Sequence, residues 1–469
     1  MRKHPKIVFI GAGSTVFMRN IICDILQTPA LAGADLALMD IDQERLSESQ
    51  DIVTKIVEAL RVPATVSSHT SQRDALDGAD FVVVAFQIGG YEPCTVSDFE
   101  IPKQFGLRQT IADTLGIGGI MRGLRTVPHI WSICEDMQDL CPQALLLNYV
   151  NPMAMITWAI SEKFPDIKQV GLCHSVQWTL KEIAHDLDIP HEDIAFECVG
   201  INHIAFMTKL AQRMPNGTQE DLYPALRHAY REGLIPKPNP MHLRCPNKVR
   251  YEIMQRFGYF VTESSEHFSE YVPWFIKNGR DDLIEQFGIP LDEYPKRCVE
   301  QVEDWKQQRL KGTDDLLREK SHEFAAILMS AIWTNTPTVI HGNVPNHGLI
   351  DNLPQGCAVE VACLIDENGV QPTRYGKLEP QLAAIMQLSV TVQGLVVEAL
   401  VNENPRLIYH AAAMDPHTGA ELSLQEIWGM VDALLEAHDA WVPEWARRRQ
   451  APQAYVALST VLGGGGARS

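Results

Sequence analysis

Short apolar stretches alternate with longer amphipathic stretches over the first two hundred residues of the chain. The first apolar stretch covers residues 6–10, and helical spacing of apolar residues begins at Val16. Further apolar stretches lie at 35–39, 81–86, 144–147 and 170–172. The stretch at 81–86 is continuously apolar, which is typical of a strand that is covered on both faces. Strands that alternate with helices predict an α/β fold with a parallel, doubly wound sheet.

The pattern changes near residue 200, where irregular, aromatic-rich segments begin to alternate with long helical stretches. We predict these helices at 318–333, 378–400 and 424–440. A chain of 469 residues is long enough for two domains that each bury a core. We therefore predict an N-terminal domain over 1–200, an α+β substrate domain over 201–450 and a C-terminal tail over 451–469.

Two glycines follow the first predicted strand, at the point where the chain turns into a helix. Gly11 and Gly13, with Ser14 beside them, would let the backbone approach a pyrophosphate at the helix N-terminus. Asp40 ends the second strand, where a carboxylate binds ribose hydroxyls and repels the 2′-phosphate of NADP. Val16 replaces the usual third glycine, and an ordinary strand–turn–helix corner is the alternative. The whole arrangement favours a Rossmann-like domain that binds NAD.

The formal net charge of -19 argues against binding partners that are themselves strongly negative. Phosphate backbones and anionic lipids repel such an acidic chain, so we expect neither nucleic acid nor a membrane as partner. The N-terminal residues lack a secretory signal, and we find no run of 18 apolar residues that could span a bilayer. The ten cysteines are then expected to be free thiols in a reducing cytoplasm, available to bind metal.

Polar residues follow the last two predicted strands, and ligands bind at the carboxyl ends of parallel strands. Asn148, a candidate cofactor contact, and Asn151 follow one strand; Cys173 and His174 follow the next; His203 comes about thirty residues later. Thiolate and imidazole ligands suit transition metals better than Mg²⁺ or Ca²⁺. The alternative is that Cys173 is a small buried apolar residue and His203 a structural histidine, because their spacing lacks zinc-finger regularity.

Five segments carry a more specific signal: FIGAGS at 9–14, NYVNP at 148–152, GLCHS at 171–175, GINH at 200–203 and GLIDNLP at 348–354. In this order and spacing they strongly resemble the family 4 glycoside hydrolases, and the resemblance runs from residue 6 to about 445. Two longer segments, AFQIGGYEP at 85–93 and ESSEHF at 263–268, resemble the bacterial α-galactosidase branch. The resemblance implies a fold similar to lactate and malate dehydrogenases.

The resemblance also implies two cofactors, NAD⁺ and a divalent metal, usually Mn²⁺. In that family the sugar is oxidised at C3, a base removes the acidified C2 hydrogen, and the C1–O bond breaks by elimination. Water then adds and the ketone is reduced again, a route outside the usual two-carboxylate scheme. Metal on O2 and O3 of the sugar stabilises the enediolate. The matching motifs imply Cys173 and His203 as metal ligands and His174 as general acid, although some relatives have Asp there.

The base at C2 is a tyrosine in the better-understood members of this family, and the resemblance makes Tyr271 the candidate here. A phenol with a pKa near 10 needs the positive field of the metal to act at neutral pH. Glu270 and His267 are the alternatives, and Tyr271 could instead be an aromatic wall of the pocket. Asn151 is expected to bind sugar hydroxyls. Asp113 and Arg122 are further substrate candidates, with a surface ion pair as the alternative.

The α-galactosidase branch implies unphosphorylated α-galactosides, such as melibiose, as substrates. Branches that hydrolyse 6-phospho-glycosides carry an arginine five residues after a Gly-Gly pair, because its planar fork binds phosphate oxygens. Here Thr95 stands five residues after Gly90. We therefore expect 6-phospho-sugars to be rejected, unless Arg122 or Arg280 reaches in from elsewhere.

Three other functions remain open from the sequence. An α-glucosidase or α-glucuronidase of the same family is one, and a plain NAD-dependent dehydrogenase is another. The third is a non-catalytic nucleotide sensor, which the set of Cys173, His174 and His203 argues against. The family further suggests a homodimer or a homotetramer.

Overall fold

The computed structural model describes residues 3–13, 15–239, 245–308 and 323–448. The first part of the chain alternates between strands and helices. Strands β1 to β6 are Lys6–Ile10, Asp35–Met39, Thr65–His69, Phe81–Val84, Leu145–Asn148 and Gln169–Gly171. Helices α1 to α7 are Thr15–Leu26, Gln43–Leu60, Gln72–Leu76, Val96–Gln104, Gly116–Leu140, Met153–Lys163 and Ser175–Leu187.

These six strands form a parallel sheet in the order β3-β2-β1-β4-β5-β6. Alternate residues of β1 face opposite layers of helices. Ile7 and Phe9 belong to the core on the side of α1 and α2, whereas Val8 and Ile10 belong to the core on the side of α5 and α6. Burial on both faces explains why these strands are continuously apolar. The predicted doubly wound parallel sheet is confirmed.

The bounds of most strands follow the apolar pattern closely. β1 and β2 have the predicted bounds, the strand predicted at 81–86 ends at Val84, and β5 and β6 each differ by one residue at each end. β3 was missed because its sequence, TVSSH, is polar. It pairs only with β2 at the edge of the sheet, so none of its residues is fully buried.

The second part of the chain extends the same sheet. Strands β7 to β13 are Ile194–Ile201, Ile204–Arg213, Gln219–Asp221, Phe260–Val261, Thr338–Pro345, Ala358–Asp366 and Gly369–Pro372. Helices α8 to α13 are Tyr223–Arg231, Lys248–Phe257, Ser265–Tyr271, Asp281–Phe287, Glu293–Gln308 and Phe324–Thr334. Helices α14 to α17 are Pro380–Asn402, Arg406–Met414, Pro416–Glu421 and Leu424–Ala437.

The parallel and antiparallel parts are joined within one sheet. β6 pairs with β11 at Gly171 and Asn343, and the order continues through β12, β7, β8 and β10. β12 pairs with β7 at Glu360 and Gly200, so residue 200 lies within a strand. The division at 200 into two domains stays a prediction.

Two of the three predicted long helices are α14 and α17, within two or three residues of the predicted bounds. The third is α13, and its predicted start at 318 lies outside the described residues, as does the predicted tail. By length and composition alone, α14 has an 18-residue window that could cross a membrane. The expectation that no stretch could span a bilayer did not include this helix. In the structure 56% of that window is buried inside the protein.

Candidate active site

The loop after β1 requires glycine at its first position. Gly11 has a φ of 86°, in the left-handed region, and a Cβ there would lie 2.5 Å from the carbonyl oxygen of Ala85. The backbone N–H groups of Gly11 and Ala12 both donate to the carbonyl oxygen of Met39, each at 3.0 Å. This loop therefore brings the carboxyl ends of β1 and β2 together directly before the N-terminus of α1. That is the arrangement that binds a pyrophosphate in doubly wound folds.

The carboxylate of Asp40 lies at the same end of the sheet. Its Oδ2 accepts from the N–H of Gly13 at 2.7 Å, and its Oδ1 accepts from the N–H of Asp42 at 2.9 Å. Asn148 ends β5, and its Oδ1 accepts from the N–H of Val150 at 2.9 Å. Both side chains thus shape the turns that would face a nucleotide. Ser14, the remaining predicted cofactor contact, lies outside the described residues.

Cys173, His203 and Glu263 form a cluster whose potential ligand atoms all lie within 4.8 Å of one another. Cys173 follows β6, and His203 lies in the tight turn between β7 and β8 with a φ of 66°. Glu263 follows β10 with a φ of 68°. Thiolate, imidazole and carboxylate together suit a divalent transition metal. The structure therefore brings together the two predicted ligands, Cys173 and His203.

Glu263 is the residue that the sequence analysis missed. It belongs to the quoted ESSEHF segment, but no role was given to it. In the structure its Oε2 lies 3.3 Å from His203 Nε2, and its Oε1 lies 3.5 Å from His267 Nδ1. An acid just after a short strand and four residues before a histidine was the only signal in the sequence.

The electrostatics of this cluster fit a cation. Burial raises the pKa of the Cys173 thiol far above its ordinary value, and the charges of Glu263 and Glu360 raise it further. Burial also lowers the pKa of His203, which keeps the imidazole neutral as a metal ligand must be. Burial alone would raise the pKa of Glu263, but His203 and His267 outweigh it and lower that pKa to about 2. A bound cation would reverse the penalty on the thiolate.

Tyr271, the predicted base, lies at the end of α10 and touches this cluster. Its phenol oxygen is 3.2 Å from His203 Nδ1, on the opposite side of the imidazole from Glu263. Burial raises the pKa of Tyr271 well above its ordinary value. A nearby cation would favour the phenolate and so oppose this rise.

The alternatives to Tyr271 are held by other contacts. His267 Nδ1 lies 2.7 Å from the hydroxyl of Ser264. The carboxylate of Glu270 accepts hydrogen bonds from the backbone of residues 110–112. Burial raises the pKa of Glu270 to about 7, and the N–H groups of Thr110 and Ala112 oppose that rise.

His174, the predicted general acid, is more open than the metal cluster. Its side chain is 49% exposed, so its proton can exchange with solvent. Its Nδ1 lies 3.7 Å from Oε1 of Glu323, at the start of α13. Like Glu263, Glu323 is an acidic residue of the site that the sequence did not predict, and it is the neighbour of His174.

The predicted substrate residues Asp113, Asn151 and Arg122 lie together. Asn151 Nδ2 donates to Asp113 Oδ2 at 3.3 Å, and a guanidinium nitrogen of Arg122 lies 3.6 Å from the same oxygen. The side chains of Arg122 and Asp113 are only 7% and 11% exposed. The alternative of a surface ion pair is therefore wrong. Asp113 interacts electrostatically with the imidazoles of His267 and His203, so these residues lie beside the metal cluster.

The side chains that bear on phosphate binding, those of Thr95, Arg280 and Arg122, each contact other groups of the protein. Thr95 is buried, and its hydroxyl accepts from Gln87 Nε2 at 2.8 Å. Arg280 is exposed and forms a double hydrogen bond with Asp282. Arg122 has its charge balanced by Asp113.

Comparison with known proteins identifies the family. A model described as family 4 glycosyl hydrolase matches residues 6–189, and the model of the C-terminal domain of the same family matches residues 198–418. The chain belongs to the family 4 glycosyl hydrolases. Its match with an α-galactosidase of Bacillus subtilis (strain 168) is 45% identical over 442 residues and covers 94% of this chain and 99% of that protein.

Two further comparisons, one of sequence and one of structure, agree with membership of family 4. An α-galactosidase of Rhizobium meliloti (strain 1021) is 31% identical, over 97% of this chain and 93% of that protein. The solved structure of a 6-phospho-α-glucosidase from gut microorganisms, in complex with NAD and Mn²⁺, has a TM-score of 0.78. It is 20% identical and covers 94% of this chain and 100% of that chain.

The predicted likeness to dehydrogenases is confirmed at the level of the fold. A lactate dehydrogenase from Cryptosporidium parvum superposes with a TM-score of 0.51 and 13% identity. The superposition covers 86% of this chain and 99% of that chain.

Proposed function

We propose that the protein is an NAD- and Mn²⁺-dependent α-galactosidase that hydrolyses unphosphorylated α-galactosides such as melibiose. The observation that carries this proposal is the cluster of Cys173, His203 and Glu263 beside Tyr271, at the carboxyl end of a nucleotide-binding type of sheet. The α-galactosidases among its relatives support the choice of sugar.

The residues present fit both cofactors. Cys173, His203 and Glu263 would hold the divalent metal, which supplies Lewis-acid polarisation of the sugar oxygens when it is bound. The loop of Gly11 and Gly13 and the carboxylate of Asp40 would hold NAD. When it is bound, NAD supplies the reversible acceptance of a hydride.

Two side chains near the cluster would carry out the two proton transfers of the reaction. Tyr271 accepts the proton from C2 of the sugar, because its phenol oxygen lies against His203 within the cluster. His174 donates a proton to the departing glycosidic oxygen, since its half-exposed ring can be reprotonated from solvent. Asn151 and Asp113 hold the sugar hydroxyls. Asn151 Oδ1 is buried and has no hydrogen-bond partner among the described residues, so it is free to accept from a hydroxyl.

The charges near this pocket favour a sugar that is neutral at C6. Arg122 is buried, and its charge is balanced by Asp113. A 6-phosphate would therefore compete with a carboxylate for one guanidinium and would meet the negative charge of Asp113. Thr95 offers a hydroxyl where a phosphate-binding arginine would be expected.

A panel of aryl glycosides tests the substrate. We expect the kcat/KM of p-nitrophenyl α-galactoside to exceed that of its 6-phosphate by about a hundredfold or more, since burying an unpaired charge is costly. A 6-phosphate that matches the free galactoside would remove the phosphate argument. A preferred α-glucoside or α-glucuronide would contradict the choice of sugar alone, and accumulation of free NADH would indicate a dehydrogenase.

The fate of the C2 hydrogen tests the chemistry independently of the sugar preference. Hydrolysis in D₂O is expected to place deuterium at C2 of the released sugar, because Tyr271 exchanges the proton that it removes. Proton NMR of the product measures this incorporation. Direct displacement at C1 leaves C2 untouched, so a product without deuterium at C2 counts against proton removal there.

A further inference from the structure

The backbone of residues 110–112 is held by one buried carboxylate. Oε2 of Glu270 accepts from the N–H of Thr110 at 2.8 Å, and Oε1 accepts from the N–H of Ala112 at 2.7 Å. The N–H of Ile111 donates to both oxygens, at 3.2 and 3.3 Å. Three consecutive backbone donors therefore converge on a single side chain from α10.

This short segment, which we call the 110–112 loop, leads directly into Asp113. Ala112 has a φ of 51°, in the left-handed region that side chains other than glycine adopt at a cost. Such a conformation persists when surrounding contacts fix it. The hydrogen bond from the Ala112 N–H to Glu270 is one such contact.

The loop has further contacts on both sides. The hydroxyl of Thr110 donates to the carbonyl oxygen of Glu266 on α10 at 2.7 Å. On its other side, the N–H of Tyr294 donates to the carbonyl oxygen of Thr110 at 3.0 Å. Because Tyr271 follows Glu270 on α10, the same helix carries both the candidate base and the group that holds the loop.

We propose that Glu270 is a positioning residue that fixes Asp113 relative to Tyr271, and thereby sets where the sugar binds. Its oxygens are engaged by the backbone, so it does not take the proton from C2. The proposal rests on the sugar contact of Asp113 proposed above. Asn151 and Arg122 both meet Asp113, so a shift of the loop would disturb these two contacts as well.

Glu270→Gln is the decisive variant because it keeps the size of the side chain. One oxygen is replaced by an NH₂ group, which would face backbone N–H donors and cannot accept from them. We expect the KM for p-nitrophenyl α-galactoside to rise about tenfold or more, as for loss of other groups that orient a site, with a smaller change in kcat. Glu270→Asp keeps the carboxylate and is expected to recover part of this loss.

Ser269→Ala is the matched control on the same helix. The hydroxyl of Ser269 is buried and donates to the carbonyl oxygen of Glu266, an acceptor that it shares with the hydroxyl of Thr110, but it forms no hydrogen bond with the described backbone of the 110–112 loop. We expect its KM to stay within about twofold of the wild type, because the bonds from the loop to Glu270 and from Thr110 to Glu266 both remain in this variant. NAD binding and circular dichroism of each variant show whether it is folded. If Glu270→Gln does not fold, Glu270→Asp serves in its place.

A double-mutant cycle with Asp113→Asn separates positioning from general damage. If Glu270 acts through Asp113, the double variant is expected to be no worse than Asp113→Asn within about twofold. Losses that multiply, or a normal KM in a folded Glu270→Gln variant when Asp113→Asn raises the KM, would overturn the positioning role and leave the sugar contact of Asp113 standing. If Asp113→Asn leaves the KM unchanged while Glu270→Gln raises it, the assigned route through Asp113 is also overturned. If neither single variant changes the KM, the sugar contact of Asp113 in the proposed function is at fault.

Discussion

Two parts of the sheet differ in how their polar groups are paired. The nucleotide end is the part around Gly11, Gly13 and Asp40, and the metal end is the part around Cys173, His203 and Glu263. At the nucleotide end the polar groups bind one another. Asp40 accepts from the N–H groups of Gly13 and Asp42, and the N–H of Gly11 bonds to the carbonyl of Met39. Within the described part of the chain, this geometry is built by neighbouring strand ends and their loops.

At the metal end, buried polar atoms lack partners within the described part of the chain. Both atoms of the Asn202 amide, next to His203, are buried without a hydrogen bond to any described residue. The same holds for Asn151 Oδ1 and Arg122 Nε. Buried polar groups are costly unless they are paired, so a bound ligand would stabilise these groups by supplying the missing partners.

The contrast explains how one sheet supports two kinds of site. The nucleotide end is preorganised by the backbone, so its side chains adjust affinity and selectivity. At the metal end, Cys173, His203 and Glu263 lie close together and are removed from water, which disfavours their charged forms. A bound cation would offset this desolvation penalty. Substitutions at the metal end should therefore remove activity and spare NAD binding, whereas substitutions at the nucleotide end should weaken NAD binding and spare metal binding.

The largest effect is expected from Cys173→Ser. A hydroxyl is a poor replacement for a thiolate toward a transition metal, and Lewis-acid assistance contributes several kcal/mol. We expect activity to fall on the order of a thousandfold or more, with NAD affinity unchanged. Turnover at saturating Mn²⁺, metal binding by equilibrium dialysis and NAD binding by fluorescence titration measure these three quantities.

Cys134→Ala is the control for the loss of a buried thiol. Cys134 lies on α5 in the core and belongs to no metal cluster found among the described residues. Its variant should keep metal binding and turnover. Near-normal turnover of Cys173→Ser at limiting Mn²⁺ would show that the thiolate is not a ligand.

Glu263→Gln should have an intermediate effect. The amide keeps the shape of the side chain but loses its negative charge, so we expect metal affinity to fall about 10- to 100-fold. Excess Mn²⁺ should restore much of the activity, because the other two ligands remain. The exposed Glu398→Gln variant on α14 controls for loss of one negative charge. An unchanged metal affinity in Glu263→Gln would exclude Glu263 as a ligand.

Local patterns in the sequence were enough to predict much of the nucleotide end. The apolar runs of β1 and β2, Gly11 and Gly13 in their loop, and Asp40 are all within one strand–helix–strand unit. β3 escaped notice because an edge strand needs only one partner and does not require apolar residues.

The metal end could be predicted only in part. Cys173 and His203 came from resemblance of their motifs, since their spacing alone carries no ligand signature. Glu263 joins them through tertiary packing from a third segment, sixty residues further along the chain than His203. The contact between Glu270 and the 110–112 loop spans a still larger separation, and no local pattern reports it.

The smallest of these effects is expected from Asp40→Ala, which tests the nucleotide end. A hydrogen bond to a charged group contributes about 1.5 kcal/mol, so the KM for NAD⁺ should rise about tenfold. Discrimination against NADP⁺ should weaken as well, because the repulsion between the carboxylate and the 2′-phosphate disappears. Asp42→Ala is the matched control. The side chain of Asp42 caps α2 by accepting from the N–H groups of Glu44 and Arg45. Its loss should lower the free energy of unfolding by about 1 kcal/mol and leave the KM for NAD⁺ unchanged. Titrations of Mn²⁺ and of both nucleotides against each variant measure these effects. If Asp40→Ala weakens Mn²⁺ binding as much as it weakens NAD binding, the two ends of the sheet are coupled and the contrast drawn between them fails.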